Sequence, residues 1–345
     1  MPLWPYLHRI AEREDLSCEE ALEAMRTILS GEATHAEIAG FLVALRMKGE
    51  TVEELVGFAR AMREMAAVVD PGLPGEPLLD TCGTGGDGLG TFNISTIAAF
   101  VAAAAGVRVA KHGNRSISSQ CGSADLLEAM GVNIAMSPAQ AARAIREIGI
   151  GFLFAPAIHA AAKHAHPVRV ELKMRTVFNL LGPLTNPANA NAQLAGAPSP
   201  LAAELIAGAL AVLGLERGFV VHGSDGLDEI TTTGPTLAFE VRHGELHRHT
   251  LTPAQFGVEV ARLEDLRGGD RERNYAIARA VLEGVRGPQR DIVLVNASAA
   301  MVAAGRARDF VEGVALAAAA IDSGAAMRKV EGLARFTKTA RGGSS

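Results

Sequence analysis

The first seventy residues repeat apolar positions at helical spacing. Apolar side chains recur at i, i+3, i+4 and i+7, as on one buried helix face, at Ile38, Phe41, Leu42 and Leu45. Capping boxes, in which Ser or Thr precedes Glu by three positions, mark three helix starts, at 17–20, 34–37 and 51–54. The pattern predicts a small all-helical domain over residues 1–70, followed by a hinge rich in Pro and Gly at 70–75.

Beyond that hinge, short apolar runs alternate with Ala-rich helical patterns. The predicted strands are 77–81, 107–110, 150–155, 218–222, 237–242 and 291–296. The helical patterns include 138–147 and 200–214, residues 237–250 suit a hairpin, and 297–340 suit closing helices. Alternation of this kind predicts a large α/β domain over residues 75–340, with a mainly parallel central sheet.

Composition and charge narrow the class of protein. The 345 residues are 48% hydrophobic and 21% charged with a net charge of −5, which argues against a nucleic-acid surface. The longest apolar run, 97–107, is too short to cross a bilayer, and residues 1–4 lack the pattern of a secretory signal. Cys18, Cys82 and Cys121 have no metal-type spacing and cannot all pair. These features predict a cytoplasmic protein without membrane or nucleic-acid partners.

A glycine-rich stretch at 79–96 is the strongest candidate for chemistry. A predicted strand is followed by glycines at 83, 85, 86, 88 and 90, and then by an Ala-rich helix. Such a loop before a helix N-terminus suits an anion, although a tight turn would also use glycine. Gly83, Gly85 and Gly88 fit the G-x-G-x-x-G spacing of dinucleotide folds. However, the next strand leads into bases, 111–115, and not into an acid, which favours a pyrophosphate group.

Polar residues also follow two other predicted strands. Because ligands bind beyond the carboxyl ends of parallel strands, segments 111–116 and 222–229 should meet the glycine loop. Asp228 and Glu229 could be Mg²⁺ ligands, or acids that stabilise the start of a helix. Their spacing alone does not decide between these two roles. Their expected convergence with the glycine loop favours the metal role.

Other residues have two interpretations each. Ser123 and Asp125 suit either a helix cap or the anion site. A nucleophile built from Cys82 or Cys121 with His112 has no supporting local signature. Two histidine groups, 159–166 and 243–249, are expected at the surface.

Five motifs together resemble one known family. They are Asp80–Asp87, Asn93–Thr96, Lys111–Arg115, Arg175–Pro187 and Asp225–Glu229. Their order and spacing closely resemble the anthranilate phosphoribosyltransferase family, and the likeness covers nearly the whole chain. The resemblance implies a fold of the nucleoside phosphorylase and phosphoribosyltransferase type, with helices at about 160–185 returning to the small domain. It also implies a homodimer, Mg²⁺ as cofactor, and anthranilate and 5-phosphoribosyl 1-diphosphate as substrates.

The resemblance also implies roles for individual residues. Lys111, Asp228 and Glu229 would be catalytic, and Ser95, Asp228 and Glu229 would hold magnesium. Diphosphate and ribose would contact Gly83, Gly86, Asp87, Thr91, Asn93, Ile94, Ser95, Thr96, Lys111, His112, Gly113, Asn114, Arg115, Ser116, Ile117, Ser118, Ser119 and Ser123. Anthranilate would contact Gly83, Asn114 and Arg169, beside His112. This chain departs from the family pattern at Gln120-Cys121 and at Ile158–Ala160.

Two rival functions share this architecture. Pyrimidine nucleoside phosphorylases also have a glycine-rich phosphate loop, and would use thymidine and phosphate instead of a diphosphate. A non-enzymatic nucleic-acid-binding relative would need a basic surface, which the net charge of −5 opposes.

Overall fold

The computed structural model describes residues 2–116 and 120–339. The helices are α1 Trp4–Ala11, α2 Cys18–Leu29, α3 His35–Lys48, α4 Val52–Glu64, α5 Ile94–Ala104, α6 Ser123–Ala129, α7 Pro138–Ile148, α8 Ala155–Ile158, α9 His166–Leu172, α10 Phe178–Leu181, α11 Pro200–Val212, α12 Arg271–Leu282, α13 Pro288–Ala303, α14 Phe310–Asp322 and α15 Ala325–Thr339. The strands are β1 Leu78–Asp80, β2 Arg108–Gly113, β3 Ile150–Phe154, β4 Ala192–Gly196, β5 Arg217–Gly223, β6 Thr236–Arg242 and β7 Glu245–Leu251.

The N-terminal helices begin where the sequence predicts. Ser17, Thr34 and Thr51 each accept a hydrogen bond from the backbone of a Glu three residues later, and that Glu bonds back to the cap. The buried faces of α1 to α4 share one hydrophobic core with residues 165–184 and with α11. A separate core joins the sheet to α5, α13 and α15. The first core therefore extends into the middle of the chain.

All seven strands form one sheet, in the order β3-β2-β1-β4-β5-β6-β7. The first five in that order are parallel, while β6 and β7 form an antiparallel hairpin at the edge. The fold class predicted from the sequence is therefore confirmed. The chain runs outward in both directions from β1, so β1 and β4 lie side by side at the point where the strand order reverses.

Two elements differ from the sequence prediction. Residues 291–296 are not a strand but part of α13, which is buried throughout from Ile292 to Ala303. A helix buried all round shows no amphipathic period, so its run of β-branched residues resembles a strand. Conversely, the sequence pattern does not predict β4, because its Ala, Gln and Gly residues have little intrinsic strand preference.

Within the described ranges, no single helix is long and apolar enough to cross a membrane. Helices α14 and α15 are long and apolar enough only when they are taken together, and the chain bends by 63° between them.

Candidate active site

Three polar segments meet where β1 and β4 end. The glycine loop leaves β1, and its Thr84 N–H donates to Gly196 O at the end of β4 (3.0 Å). The segment after β5 folds back over this point. A Cβ at Gly196 would lie 1.5 Å from Asp228 O, so this close approach requires glycine. The predicted convergence of the glycine loop with the carboxylate pair is confirmed.

The loop is held in place by the acids that face it. Gly85 N–H donates to Asp228 Oδ2 (2.8 Å), and Ser95 N–H, at the start of α5, donates to Glu229 Oε1 (3.2 Å). Gly85 and Gly86 have positive φ, 65° and 78°, which other residues adopt rarely. Backbone N–H groups of the loop and of the helix N-terminus therefore line the same crevice as the two carboxylates.

The crevice brings three acidic side chains together, those of Asp87, Asp228 and Glu229. Withdrawal from solvent and the neighbouring Asp87 carboxylate raise the pKa of Asp228 well above its ordinary value. Withdrawal from solvent and the charge of Asp228 raise the pKa of Glu229 to about 8. Two adjacent carboxylates that resist ionisation fit a divalent cation, which would relieve their repulsion. The donor set is all oxygen, as Mg²⁺ prefers.

A pH-dependent stability follows from these shifts. In metal-free buffer, the protein should lose stability as the pH rises from about 4.5 to about 8. In that window the native carboxyls keep protons that the unfolded chain has released, so stability falls with pH. The double variant Asp228→Asn with Glu229→Gln should lack this loss of stability with rising pH. Urea titrations of both proteins across the window would measure it; parallel pH profiles would contradict the assignment.

Lys111 supplies the positive charge of the crevice floor. Its ammonium is buried and donates to Thr81 O (2.6 Å) at the end of β1. Burial raises the pKa of Asp80 to about 6, and the charge of Lys111 opposes this rise. The carboxylate of Asp80 accepts from Asn186 Nδ2 (2.8 Å) and from His112 N–H (3.2 Å). Asp80 therefore fixes the ends of β1 and β2 relative to each other.

Ligand atoms of Asp80, Cys82 and His112 lie within 4.8 Å of one another in the buried floor. The ammonium of Lys111 adjoins this group, and both Asp80 oxygens already accept hydrogen bonds. Positive charge at that point opposes a cation. The oxygen-only pair at Asp228 and Glu229 is therefore the better metal site.

The cysteines are unsuited to nucleophilic catalysis. Burial raises the pKa of the Cys82 thiol, and the charge of Asp80 adds to the effect; burial also raises the pKa of Cys121. We expect Cys82→Ala with Cys121→Ala to keep kcat within about threefold of the unchanged protein, because no thiolate forms. Steady-state rates would test this, and mass spectrometry would look for a covalent intermediate on either cysteine. A loss of activity in a folded variant would restore the nucleophile hypothesis.

Not every predicted contact residue presents its side chain to the crevice. Ile94 and Thr96 are buried in the core, so only their backbones are available. Asn93 uses its side chain to bond Cys121 O (3.0 Å) and Asn274 (3.1 Å). Ser123 Oγ donates to Asn114 O (3.1 Å), so it supports the neighbouring loop. The predicted contacts Ile117, Ser118 and Ser119 lie outside the described residues.

His112, His159 and Arg169 have surroundings that the sequence does not reveal. His159 is buried, contrary to the predicted surface position, and its ring lies 5.2 Å from that of His112. Burial lowers the pKa of His112 to about 3 and the pKa of His159 to about 4, so both rings are neutral. Arg169 on α9 is half-buried, and its guanidinium lies 5.0 Å from the ring centroid of Phe178. The two histidines are thus neutral aromatic rings, and Arg169 is a partly accessible cation.

Arg175 is a site residue that sequence reasoning missed. Its Nη1 donates to Gly85 O (3.1 Å) and Gly86 O (2.8 Å), and its buried Nη2 has no partner among the described residues. The side chain thus joins the linker between α9 and α10 to the glycine loop. The one sequence feature that could have indicated this role is that Arg175 is the first residue of the 175–187 motif.

We expect Arg175→Ala to raise the KM of the phosphate-bearing substrate by roughly tenfold, since bonds from a charged donor contribute ~1.5–3 kcal/mol. Arg175→Lys should recover part of the loss, because one ammonium can replace Nη1. Lys163→Ala, which removes an exposed cation in the segment between α8 and α9, is the control. Steady-state kinetics would decide; equal effects of Arg175→Ala and Lys163→Ala would remove the loop-holding role.

Comparison with known proteins identifies the class. Residues 5–66 match the description "Glycosyl transferase family, helical bundle domain". Residues 75–327 match "Glycosyl transferase family, a/b domain". The fold and the crevice beside the glycine loop are thus those of a glycosyltransferase with a helical bundle beside an α/β domain.

Individual relatives are more specific. The chain is 70% identical over 313 residues to anthranilate phosphoribosyltransferase of Solibacter usitatus, covering 91% of this chain and 92% of that protein. It resembles the crystal structure of the Thermus thermophilus enzyme with a TM-score of 0.91 and 48% identity, covering 96% of this chain and 99% of that one. The Saccharomyces cerevisiae enzyme in complex with PRPP and Mg gives a TM-score of 0.90 and 29% identity, covering 98% of both. The chain therefore belongs to the anthranilate phosphoribosyltransferase family.

Proposed function

We propose that this protein transfers the phosphoribosyl group of 5-phosphoribosyl 1-diphosphate to the amine of anthranilate. The products are N-(5-phosphoribosyl)anthranilate and diphosphate, in L-tryptophan biosynthesis. The observation that carries the proposal is the meeting of a glycine loop, a helix N-terminus, Lys111 and a carboxylate pair at the β1–β4 boundary. In the reaction, the amine nitrogen attacks ribose C1 as the C1–O bond to diphosphate breaks. The amine then releases a proton to solvent.

The cofactor is Mg²⁺, and we assign its ligands to Ser95, Asp228 and Glu229. The raised pKa values of both acids and the all-oxygen donor set support this assignment. When bound, Mg²⁺ supplies electrostatic stabilisation of the negative charge that develops on the leaving diphosphate. The ammonium of Lys111 and the loop N–H groups add to the same effect in a preorganised site.

For the acceptor we assign a wall made of Gly83, Asn114, His112 and Arg169, with the ring of His159 next to that of His112. Anthranilate carries a carboxylate and an aromatic ring. Arg169 offers a planar fork of donors for the carboxylate, and the neutral imidazoles of His112 and His159 offer aromatic surface. The wall thus complements both parts of the acceptor.

The other predicted contacts are assigned to the donor substrate. Gly83, Gly86, Asp87 and the α5 N-terminus are proposed to receive diphosphate, as is the segment after β2. The support is their position around the crevice, where four loop glycines adopt the positive φ that lets the backbone approach an anion, Gly85, Gly86, Gly88 and Gly90.

Domain organisation and assembly are part of the same proposal. We propose a dimerisation domain over residues 1–70, joined by central helices at about 160–185, and a catalytic domain over 75–340. The shared core of α1 to α4 with residues 165–184 supports this division. A homodimer and a cytoplasmic location are proposed as well; three free cysteines suit a reducing compartment. Light scattering of the purified protein would test the dimer.

One assay tests the reaction directly. The fluorescence of anthranilate should fall when 5-phosphoribosyl 1-diphosphate and Mg²⁺ are both present, and should stay constant when either is omitted. Thymidine with inorganic phosphate is the comparison reaction. Conversion of thymidine without any use of the diphosphate substrate would reject the proposal in favour of a nucleoside phosphorylase.

A further inference from the structure

Arg115 closes the basic segment 111–115, yet its guanidinium faces helix α6. Nη1 donates to Asp125 Oδ1 (2.7 Å) and Glu128 Oε2 (2.8 Å), and Nη2 donates to Glu128 Oε1 (2.8 Å). The guanidinium carbon also lies 6.0 Å from the ring centroid of Phe154. Within residues 2–116 and 120–339, all its polar side-chain partners are thus on α6.

The other oxygen of Asp125 holds the backbone of the same loop. Asp125 Oδ2 accepts from Gly122 N–H (2.9 Å) and from Ser116 N–H (3.3 Å). The two positions also touch directly, since a Cβ at Gly122 would lie 2.3 Å from Ser116 N. One carboxylate therefore ties together the chain at 116 and at 122, while its first oxygen is fixed by Arg115.

The same contact region holds Asn114. Its carbonyl oxygen accepts from Ala124 N–H (3.2 Å) and from Ser123 Oγ (3.1 Å). Asn114 and Ser116, the neighbours of Arg115 on either side, are thus both bonded to the first turn of α6. Arg115 reaches past them to the last turn, at Glu128.

We propose that Arg115, with Asp125 and Glu128, is a positioning residue that holds the chain after β2, at residues 114–116 and at Gly122, in the arrangement that receives 5-phosphoribosyl 1-diphosphate. The inference rests on the proposed function and revises the contact role expected of Arg115 from the family resemblance. A bidentate guanidinium–carboxylate pair fixes geometry as well as charge. Side-chain exposures of 47% for Arg115 and 32% for Glu128 mean that the pair adds little to global stability, so its effect is local.

A direct phosphate ligand would behave differently. To reach a phosphate, Arg115 would have to leave three hydrogen bonds to acids. Removing Glu128 would then free the guanidinium and lower the KM of the diphosphate substrate or leave it unchanged. If Arg115 positions the loop, removing Glu128 must raise that KM. The two roles thus predict different changes in the KM of the diphosphate substrate when Glu128 is removed.

The test is Glu128→Ala, with Glu147→Ala as the matched control, since Glu147 pairs with Arg143 (2.9 Å) on the exposed face of α7. We expect Glu128→Ala to raise the KM of the diphosphate substrate by roughly tenfold, the effect of losing bonds to a charged group. The KM of anthranilate should change less than about twofold, and the control should change neither. Glu128→Gln, of equal size, should give a smaller rise and guards against misfolding.

Amide hydrogen exchange gives a readout that needs no activity. In Glu128→Ala, the Ser116 and Gly122 amides should exchange faster, since the Asp125 carboxylate that accepts from both loses its support. An unchanged or lower KM for the diphosphate substrate would overturn the proposal, and so would a lower melting temperature with unchanged KM. If the protein without substitutions were inactive with both substrates, the proposed function would be rejected. The amide exchange of Glu128→Ala would still show whether Arg115, Asp125 and Glu128 hold the chain at Ser116 and Gly122.

Discussion

Replacing Asp228 by Asn and Glu229 by Gln in one protein is expected to lower turnover by roughly a thousandfold. Stabilisation of the leaving diphosphate by a divalent cation contributes several kcal/mol, and about 4 kcal/mol corresponds to that factor. The amides keep the size and much of the hydrogen bonding of the acids to Gly85 and Ser95 N–H, but not the charge that binds the cation. Mn²⁺ binding, followed by electron paramagnetic resonance, should be lost together with turnover.

The same double variant should be more stable than the unchanged protein in metal-free buffer at pH 8. Withdrawal from solvent, together with repulsion among the two acids and Asp87, raises both pKa values, so ionising these acids destabilises the folded state at pH 8. A matched control is Glu264→Gln with Asp265→Asn, another adjacent acid pair, which bonds Arg262 at the surface. Near-normal turnover of the first variant at saturating Mg²⁺ would refute the metal assignment. A similar loss in the control would indicate a general charge effect.

Arg169→Ala is expected to raise the KM of anthranilate by roughly 10- to 150-fold. Hydrogen bonds to charged groups contribute ~1.5–3 kcal/mol, which corresponds to that range. Burial lowers the pKa of Arg169, and within the described ranges its guanidinium has no ion pair or hydrogen bond. A half-buried cation without an anionic partner fits a carboxylate-bearing ligand. The KM of the diphosphate substrate should hardly change.

The control for this experiment is Arg143→Ala. Arg143 also lies over a phenylalanine, with 4.8 Å between its guanidinium carbon and the ring centroid of Phe336, but on the far helix α7. Steady-state kinetics with each substrate varied in turn would separate the roles. Equal losses for both substrates in Arg169→Ala would indicate a structural role, and no loss for either would place Arg169 outside the acceptor site.

The site could be predicted best where neighbours in sequence are also neighbours in space. The glycine loop, the basic segment after β2 and the Asp228–Glu229 pair each act through local backbone, so residue type and spacing expose them. The capping boxes of α2, α3 and α4 were predictable for the same reason, because a cap and its partner are three residues apart.

Prediction failed where burial removed the periodic signal. Residues 291–296 are a run rich in β-branched residues in a helix that is buried on nearly every side, and β4 is a buried strand of mostly small residues. The polar pattern that separates period 3.6 from period 2 is absent from both, so local sequence cannot choose between helix and strand. His159 was predicted at the surface but is buried, since histidine occurs in both environments and its identity alone does not predict which.

By itself, the sequence determined the fold class, the family and the meeting of the glycine loop with the carboxylate pair. Only the tertiary structure decided that Arg175 lies on the glycine loop, 90 residues away in the chain, and that Arg115 faces Asp125 and Glu128. The Arg175 contact depends on the strand order, which brings the linker before α10 to the loop after β1. The Arg115 contact depends on the direction in which its side chain leaves the chain after β2. No local pattern of apolar and polar residues encodes either one.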